Sequence, residues 1–266
     1  MENDEIIKRF VNFLREKYYQ NLLEAVRDGL PSLEIDFKVL DEFDTPLSEK
    51  LLYQPEDTLK IFGQAVKEID LPDSVEMKFR FCNLPESACV PIRHLRSHHI
   101  GQFVSVEGTV RRSSEILPEI SETIWTCPQC GSRIVLEQNE RTMKKPIGCD
   151  CGYKGRFELF SKKLVDTRWI QIEEPFESTE GEKPSQLNIY LRDDLTSQKM
   201  RTKTDAGNRL RITGIMKEVP KATQKGKRSV QLDILLAANH IETTEIEASE
   251  LKITPEDEQR IIEFSK

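Results

Sequence analysis

The amino-acid sequence predicts an α+β protein in which a helical N-terminal domain precedes a small β-barrel with an inserted metal-binding subdomain. Apolar residues recur at helical spacing before residue 75, and apolar and polar residues alternate after it. Four cysteines in two close pairs interrupt the alternating part. The chain has 266 residues, which is enough for two or three such units.

The segment 1–74 predicts the helical domain. Its apolar residues recur every three or four positions, as on one face of a helix: Ile7, Phe10, Val11, Leu14, Tyr18, Leu22 and Val26. Residues 33–39 alternate and predict one short strand. Thr45-Pro46 and Pro55 each predict the first turn of a further helix, because proline is tolerated where no amide hydrogen is needed.

Alternating segments after residue 74 predict the barrel. The strand-like stretches cover residues 75–82, 103–110, 157–172, 187–191, 210–215 and 230–236. Gly108 is expected at a bulge or bend. Five or six short, glycine-punctuated strands predict a Greek-key barrel of the oligonucleotide-binding (OB) type, with residues 75–124 as its first part and 158–242 as its second. A β-sandwich is the alternative all-β arrangement.

Two close cysteine pairs predict a structural zinc site within residues 125–157. Cys127 and Cys130 are separated by two residues, and Cys149 and Cys151 by one. Four thiolates complete the tetrahedral set that zinc prefers, so no histidine or carboxylate is needed and we expect one structural zinc ion per chain. Glycines beside both pairs permit tight turns around a metal. Free or disulfide-bonded thiols are the alternative.

Charge is distributed unevenly along the chain. The net charge is −7, but residues 75–241 carry 27 basic and 21 acidic side chains, while both ends are acidic. A basic centre permits an anionic partner. The N-terminus lacks the basic and apolar regions of a signal peptide, and no apolar run is long enough to span a bilayer. Together with the cysteine pattern, this predicts an intracellular, cytoplasmic protein in which Cys82 and Cys89 are small buried thiols.

The segment 217–230 predicts a hairpin with a cationic tip between the last two strands, with Gly226 near its turn. Its basic residues are Lys217, Lys221, Lys225, Lys227 and Arg228. We call this segment the basic hairpin. Flexible cations at a hairpin tip contact phosphates without reading sequence, which predicts DNA binding. A hairpin that only improves solubility is the alternative.

Arg111 and Arg112 extend the predicted DNA contacts onto the barrel. They follow the second barrel strand, on a surface where OB barrels present a strand face to nucleic acid. Adjacent residues of a regular strand point to opposite faces, so we expect at most one of the two arginines on a given face. Trp125, Trp169 and Phe103 could stack on bases, but core packing is expected for each.

The sequence contains no recognisable catalytic residues. The nearest approach to a phosphate-binding loop is residues 225–229, where arginine replaces the required hydroxyl and the first glycine is missing. His98-His99 are predicted to lie on the surface, and Asp193-Asp194 to be solvated or capping. We therefore expect no ATPase or other enzymatic activity from residues 1–266.

Two further segments lack barrel periodicity. Residues 197–208 are polar and basic and predict a long exposed loop, a feature that is often functional in compact domains. Near the C-terminus, Thr254-Pro255 predicts a helix start, and the sequence stops within that helix. We therefore interpret residues 243–266 as a linker that leads into a further domain.

Six short stretches carry a resemblance to a known family. They are Phe79–Pro85, Ile92–Ile100, Val104–Val110, Arg192–Leu195, Leu210–Ile215 and Asn239–Glu242. In this order and spacing they resemble the N-terminal half of the minichromosome-maintenance (MCM) replicative helicases of the archaeal type. The helical segment 1–74 fits more loosely.

The resemblance implies a helical domain, a zinc-binding subdomain and an OB barrel, assembled into hexamers or double hexamers around single- or double-stranded DNA. It implies that the basic hairpin contacts DNA in a central channel through Lys225, Lys227 and Arg228. It also implies that loop 197–208 signals to an ATPase domain beyond residue 266. The full-length protein would then be an ATP-dependent DNA helicase at a prokaryotic nucleoid, with other replication proteins as further partners.

The sequence departs from the family where single strands bind across the barrel. Arg112 matches the first arginine that the resemblance implies there, but Gln171 and Ser185 occupy two positions where further arginines are expected. Lys183 or Arg168 could compensate. Two other functions are compatible with the residues: a freestanding protein that binds single-stranded DNA or RNA, and a zinc-stabilised protein–protein scaffold.

Overall fold

The structure, a computed structural model, describes residues 3–69, 77–138, 143–175, 177, 181–222 and 228–244, with only the backbone of 220–222 and 228–231. The helices in these ranges are α1 (Asn3–Phe13), α2 (Tyr19–Arg27), α3 (Phe37–Phe43), α4 (Thr45–Tyr53), α5 (Pro55–Ala65) and α6 (Gln198–Lys203). The strands are β1 (Ser32–Asp36), β2 (Lys78–Cys82), β3 (Phe103–Ser113), β4 (Leu117–Thr126), β5 (Arg133–Glu137), β6 (Glu158–Glu173), β7 (Gln186–Arg192), β8 (Arg209–Ala222) and β9 (Arg228–Thr243).

The helical domain contains α1 to α5. The sequence predicts the helices on either side of residues 33–39, but α3 begins at Phe37, within the segment that was expected to be a strand. A π-helical stretch, Leu14–Tyr18, joins α1 to α2. The Asp44 carboxylate caps α4 by accepting a hydrogen bond from the Leu47 amide at 3.2 Å, and Pro55 begins α5. The apolar faces of these helices meet in one core, in which the rings of Phe10 and Phe62 stack with their centres 3.7 Å apart.

Strand β2 belongs to the helical domain, although residues 75–82 were expected to form a strand of the barrel. It pairs in parallel with β1, with Leu33 opposite Phe79. Phe79 packs edge-on against Phe10 with ring centres 4.9 Å apart. The alternating pattern identified a strand correctly but could not identify its partner, because pairing depends on residues far apart in the sequence.

Five strands close the barrel, in the order β3-β8-β9-β7-β6, with β6 pairing back to β3. Closure of one sheet on itself identifies an OB-type barrel and excludes the sandwich. Gly108 lies where β3 crosses β6, and a Cβ atom there would meet the Glu173 carbonyl oxygen at 2.8 Å. The bulge expected at Gly108 occurs instead between Val110 and Arg112. The barrel interior is apolar and includes Ile172, Ile189, Leu191, Leu210 and Ile212.

Strand β6 extends beyond the barrel and pairs there with β4, which forms a two-stranded ribbon. Strand β5 adds to the far end of this ribbon, giving the order β6-β4-β5. Trp125, Cys127 and Phe157 form a small separate core at that end. The ribbon thus carries the cysteine-rich segment as an insertion in the barrel, as the sequence predicts.

Residues 197–208 do not form the irregular exposed loop that the sequence predicts. They contain the short helix α6, and Thr204 at its end is fully buried. The helix has six residues, which is too short to show an apolar periodicity. We continue to call residues 197–208 the 197–208 loop.

Candidate metal centre and nucleic-acid surface

The four cysteines are brought together by two tight turns at the end of the ribbon. Cys127 follows β4 directly, and the Gly131 amide donates to the Cys127 carbonyl at 2.9 Å. In the second turn the Gly152 amide donates to the Cys149 carbonyl, also at 2.9 Å. Both glycines have positive φ, 73° and 88°, a conformation that other residues rarely adopt. The sequence pattern of cysteine and glycine therefore produces two opposed thiol pairs.

The four Sγ atoms lie within 4.8 Å of one another. Cys127 Sγ is 3.7 Å from Cys151 Sγ, and Cys130 Sγ is 3.5 Å from Cys149 Sγ. A tetrahedral ion with metal–sulfur bonds of about 2.3 Å requires sulfur–sulfur distances of about 3.8 Å, which these separations approach. They are too long for disulfide bonds of about 2.05 Å. The cluster therefore fits one metal ion bound by four thiolates.

The surroundings of the cluster favour the thiolate form at one position in particular. Ser132 Oγ lies 2.6 Å from Cys130 Sγ, and hydrogen bonds from Ser132 lower the pKa of Cys130 to about 6. The Tyr153 amide lowers the pKa of Cys151, but desolvation and the other three thiols outweigh it and leave that pKa raised to about 12. Neighbouring thiolates repel one another, so the four thiols do not all ionise in the absence of a cation. A bound metal ion would favour the fully ionised form.

The basic hairpin extends from strands β8 and β9. The two strands pair in antiparallel register from Leu210 and Thr243 to Ala222 and Arg228, so the backbone forms the predicted hairpin. Residues 223–227, which include Lys225 and Lys227, lie outside the described residues, as do the side chains of Lys221 and Arg228.

Lys217 lies at the base of the basic hairpin, where its side chain is described. Its ammonium group forms an ion pair with Glu56 of α5. The contact joins the base of the hairpin to the helical domain. Lys217 therefore has a structural partner in addition to its predicted contact with DNA.

Arg111 and Arg112 line the same open cleft at the end of β3. The cleft has a volume of about 380 Å³ and is completed by Gln171 and Gln186. The expectation that the two arginines would point to opposite faces was wrong, because the β3 bulge breaks the alternation at this point. Arg111 forms an ion pair with Glu173, whereas Arg112 has no ion-pair partner among the described residues.

Arg168 is not available to DNA. Its side chain is 4% exposed and lies in the interior, between β6 and the 197–208 loop. Its nitrogens donate to the Thr204 hydroxyl at 2.6 Å, to the Arg201 carbonyl at 3.0 Å and to an Asp205 carboxylate oxygen at 2.8 Å. The suggestion that Arg168 compensates for Gln171 was therefore wrong. No feature of the local sequence distinguishes a buried arginine from an exposed one on a strand.

The aromatic candidates separate into two groups. Trp125 and Phe103 are buried, as predicted. Trp169 is 39% exposed, and its ring lies beside Tyr190 with centres 4.9 Å apart. The cysteines outside the cluster also differ, because Cys82 is buried as predicted but Cys89 is exposed.

Polar contacts connect the helical domain to the barrel. Arg80 of β2 binds the Asp194 carboxylate, with Nε 3.2 Å from Oδ2, and donates to the Asn239 carbonyl at 2.9 Å. Burial raises the pKa of Asp194, but hydrogen bonds from Arg80 and Ser32 outweigh it and the pKa is lowered overall. The Asp194 carboxylate was predicted to be solvated or capping, but it is mostly buried and joins the barrel to Arg80 of the helical domain.

His240 of β9 lies in the same interface. Its Nε2 is 3.4 Å from Glu34 of β1, and its Nδ1 is 3.4 Å from Glu242. Burial alone would lower the pKa of His240, but the two carboxylates raise it to about 9. The imidazole is therefore held in its charged form near neutral pH.

Comparison with known proteins shows which family this arrangement represents. The MCM N-terminal domain family matches residues 7–83, and the MCM OB domain family matches residues 91–220. The chain belongs to the MCM family. Both matched ranges agree with the division into a helical domain that includes β2 and a barrel that begins after it.

Individual MCM proteins are similar over most of the chain. The "DNA replication licensing factor mcm4-A" of Xenopus laevis is 28% identical over 82% of this chain and 26% of its own length. The "Minichromosome maintenance protein MCM" of Saccharolobus solfataricus is 26% identical over 95% of this chain and 38% of its own length. The chain thus spans about a quarter to two-fifths of these relatives.

A solved structure confirms the fold. The crystal structure of the N-terminal domain of an archaeal MCM superposes with a TM-score of 0.74 at 21% identity, covering 92% of this chain and all of that one. The expected fold, a helical domain followed by an OB barrel with an inserted cysteine cluster, is therefore confirmed. Among the helices described here, none combines the length and apolarity needed to span a bilayer.

Proposed function

We propose that residues 1–266 are the DNA-binding and ring-assembly module of an MCM replicative helicase. In this proposal the chains form a hexamer or double hexamer that encircles DNA, and the basic hairpins contact its phosphates. The module itself performs no ATP hydrolysis, and the helicase activity belongs to a longer protein. The observation that carries the proposal is the antiparallel pairing of β8 and β9 as far as Ala222 and Arg228, within a segment whose sequence contains five basic residues.

Ring assembly explains how a modest charge on each chain becomes effective. One basic hairpin offers at most five cations, and Lys217 at its base also pairs with Glu56. Several hairpins that converge on one duplex combine their contacts at a high effective concentration. The contacts are to phosphates, so the module binds DNA without sequence preference and more weakly at high salt. DNA binding by a protein with net charge −7 then depends on the positive charge of the basic hairpin rather than on the net charge of the chain.

We further propose that the cysteine cluster holds zinc. The four sulfur ligands and their separations fit a closed tetrahedral site, in which zinc acts structurally. Cys127, Cys130, Cys149 and Cys151 would hold the ion and fix the two turns against the end of the ribbon. The three-residue core around Trp125 is too small to hold this segment without such a cross-link.

The proposal is tested by removing the charges at the hairpin tip. The triple variant K225A/K227A/R228A is expected to bind a duplex at least about tenfold more weakly than the wild type near 0.1 M salt. The matched control is K8A/R15A/K17A, which removes the same charge from exposed positions of the helical domain and should bind normally. Equal affinity of the triple variant and the wild type at low salt would contradict the role of the basic hairpin.

One observation favours a second candidate function, a freestanding single-strand-binding protein. The exposed ring of Trp169, beside the partly buried ring of Tyr190, is the kind of surface on which such proteins stack bases. Measurement of mass in solution separates the two functions. Rings that form with DNA support the helicase module, whereas a monomer that binds one oligonucleotide supports the freestanding protein.

A further inference from the structure

We propose that a polar cavity between the helical domain and the barrel binds a small oxyanion of the size of phosphate. The cavity lies between α3 and the segment after β2 on one side and strands β3, β8 and β9 on the other. Its volume is about 120 Å³, and one buried water needs only about 10–15 Å³, so a small polyatomic ion has room. We call it the interdomain cavity. Its polar lining includes Lys38, Asn83, Ser105, Arg211, Thr213 and Glu242.

Two buried hydroxyl groups line the interdomain cavity on the barrel side and have little hydrogen bonding of their own. Ser105 and Thr213 pair across β3 and β8, and each is 3% exposed. Their oxygens are 3.5 Å apart, which is longer than the usual length of about 2.5–3.0 Å for a bond between hydroxyls. Neither hydroxyl has another hydrogen-bond partner within the described ranges. Buried hydroxyls normally have a partner, so these two indicate that a polar group occupies the cavity.

Two cations line the same cavity. Lys38, at the start of α3, is exposed and forms no ion pair with any residue that the structure describes. Arg211 of β8 shares the Glu107 carboxylate with Arg209, which is the nearer of the two arginines at 2.8 Å against 3.4 Å. The positive charge of Lys38 is therefore uncompensated, and that of Arg211 is only partly compensated.

The carboxylates near the cavity already have partners. Asp36 Oδ2 accepts a hydrogen bond from Asn83 Nδ2 at 2.7 Å. Glu242, which lines the cavity, has its Oε1 3.4 Å from Nδ1 of His240, and that imidazole is held in its charged form. The groups that remain without full partners are thus cations and hydroxyl donors. Such groups favour an anion with several acceptor oxygens over a metal ion or an apolar ligand.

The donors come from three different elements, which favours a tetrahedral ion such as phosphate. Lys38 belongs to α3, Ser105 to β3 and Thr213 to β8. A tetrahedral oxyanion presents acceptor oxygens in four directions, whereas a carboxylate presents its two oxygens on one side. An ion held between Lys38 and the two hydroxyls would join the helical domain to the barrel. It would bind only when the two are docked, and would therefore stabilise the folded protein.

The test titrates the protein with inorganic phosphate and measures binding by phosphorus nuclear magnetic resonance and by the Tm. Phosphate should bind saturably and raise the Tm, whereas sodium chloride at the same ionic strength should not. K38M is expected to bind phosphate about tenfold more weakly, because it removes a charged donor, and T213V about two- to tenfold more weakly. The matched control is K17M, which removes the charge of another exposed lysine of the helical domain and should bind phosphate as the wild type does.

Phosphate groups of DNA are the other source of this chemistry, and DNA binding by K38M distinguishes the two sources. K38M should bind a duplex and oligo-dT within about twofold of the wild type. A loss of DNA affinity as large as that of K225A/K227A/R228A would make the cavity part of the DNA-binding surface and overturn the inference. Equal phosphate binding by K38M and the wild type would also overturn it, as would an absence of saturable binding, which would leave the cavity to water. Neither of the last two results would affect the proposed helicase module.

Discussion

The Arg168 guanidinium donates a hydrogen bond to the Thr204 hydroxyl at 2.6 Å, and thereby attaches the 197–208 loop to barrel strand β6. Both groups are buried. The same nitrogen, Nη1, also donates to the Arg201 carbonyl, while Nε donates to the Ser114 carbonyl and Nη2 to an Asp205 carboxylate oxygen. One side chain of the barrel thus fixes the position of the 197–208 loop. Arg168 is buried whereas Trp169, the next residue, is exposed, as expected of adjacent residues on a strand.

Removal of the Arg168 side chain is expected to release the 197–208 loop. R168A leaves the buried Thr204 hydroxyl and the Arg201 carbonyl without this donor, and should lower the free energy of unfolding by about 2–3 kcal/mol. Trypsin should also cleave the native protein faster after Lys199, Arg201 or Lys203. Thermal unfolding and timed proteolysis measure the two effects. The control is R192A, on the neighbouring strand β7, and equal cleavage rates in R168A and R192A would contradict the assignment.

Metal removal is expected to unfold the end of the ribbon while the rest of the protein stays folded. The protein should contain one zinc ion per chain, and C130S should lose most of it, because three thiolates and a hydroxyl bind zinc far more weakly than four thiolates. Elemental analysis gives the metal content, and Trp125 fluorescence reports the local core. The control is C89S, an exposed cysteine outside the cluster. Verified metal-free protein with unchanged Trp125 fluorescence would show that the ion has no structural role.

The contact between the helical domain and the barrel at His240 should depend on pH. The folded-state pKa of His240 is raised to about 9, so its contribution to stability is complete below about pH 6.5 and is lost as the pH rises through 9. The pKa values of Glu34 and Glu242 are lowered. The contribution of these carboxylates to stability is therefore present above about pH 4.5 and is lost as the pH falls below that value. The interface is therefore most stable between about pH 5 and 6.5.

The variant H240Q tests this pH dependence. Its free energy of unfolding should fall by about 1–2 kcal/mol at pH 6, since Glu34 is largely exposed and solvent weakens that pair. It should match the wild type near pH 10, where the imidazole of the wild type is neutral. The control H94Q changes an exposed histidine and should follow the wild-type profile. A constant difference between H240Q and the wild type from pH 6 to pH 10 would rule out a titrating contact.

The features that were predicted correctly from the sequence depend on short-range patterns. The spacing of Cys127, Cys130, Cys149 and Cys151 predicted a metal cluster, because ligand type and separation are encoded within one short segment of the chain. Alternation predicted most strands, and a stripe such as Ile7 to Leu14 predicted helices. These signals depend on which face of an element is buried, and that information is local.

The features that were missed depend on contacts between distant residues. β2 was assigned to the barrel because alternation does not specify a partner strand. Arg168 resembles any exposed basic residue in the sequence, and its burial depends on the 197–208 loop, which follows only after the whole of β7. The ion pairs of Lys217 with Glu56 and of Arg111 with Glu173 likewise join residues that are far apart in the chain. Sequence patterns identify cations, but only the fold determines which of them already have partners.

The salt dependence of DNA binding tests the central proposal most directly, namely that hairpins from several chains meet on one DNA. The logarithm of the duplex affinity falls with the logarithm of the salt concentration with a slope of about −0.9 per phosphate contact. If one chain binds, K225A/K227A/R228A can make this slope shallower by no more than about 2.7. Convergent hairpins predict a larger change, with K8A/R15A/K17A unaffected. A change of about 2.7 or less, in a protein that stays monomeric on DNA, would contradict the proposal.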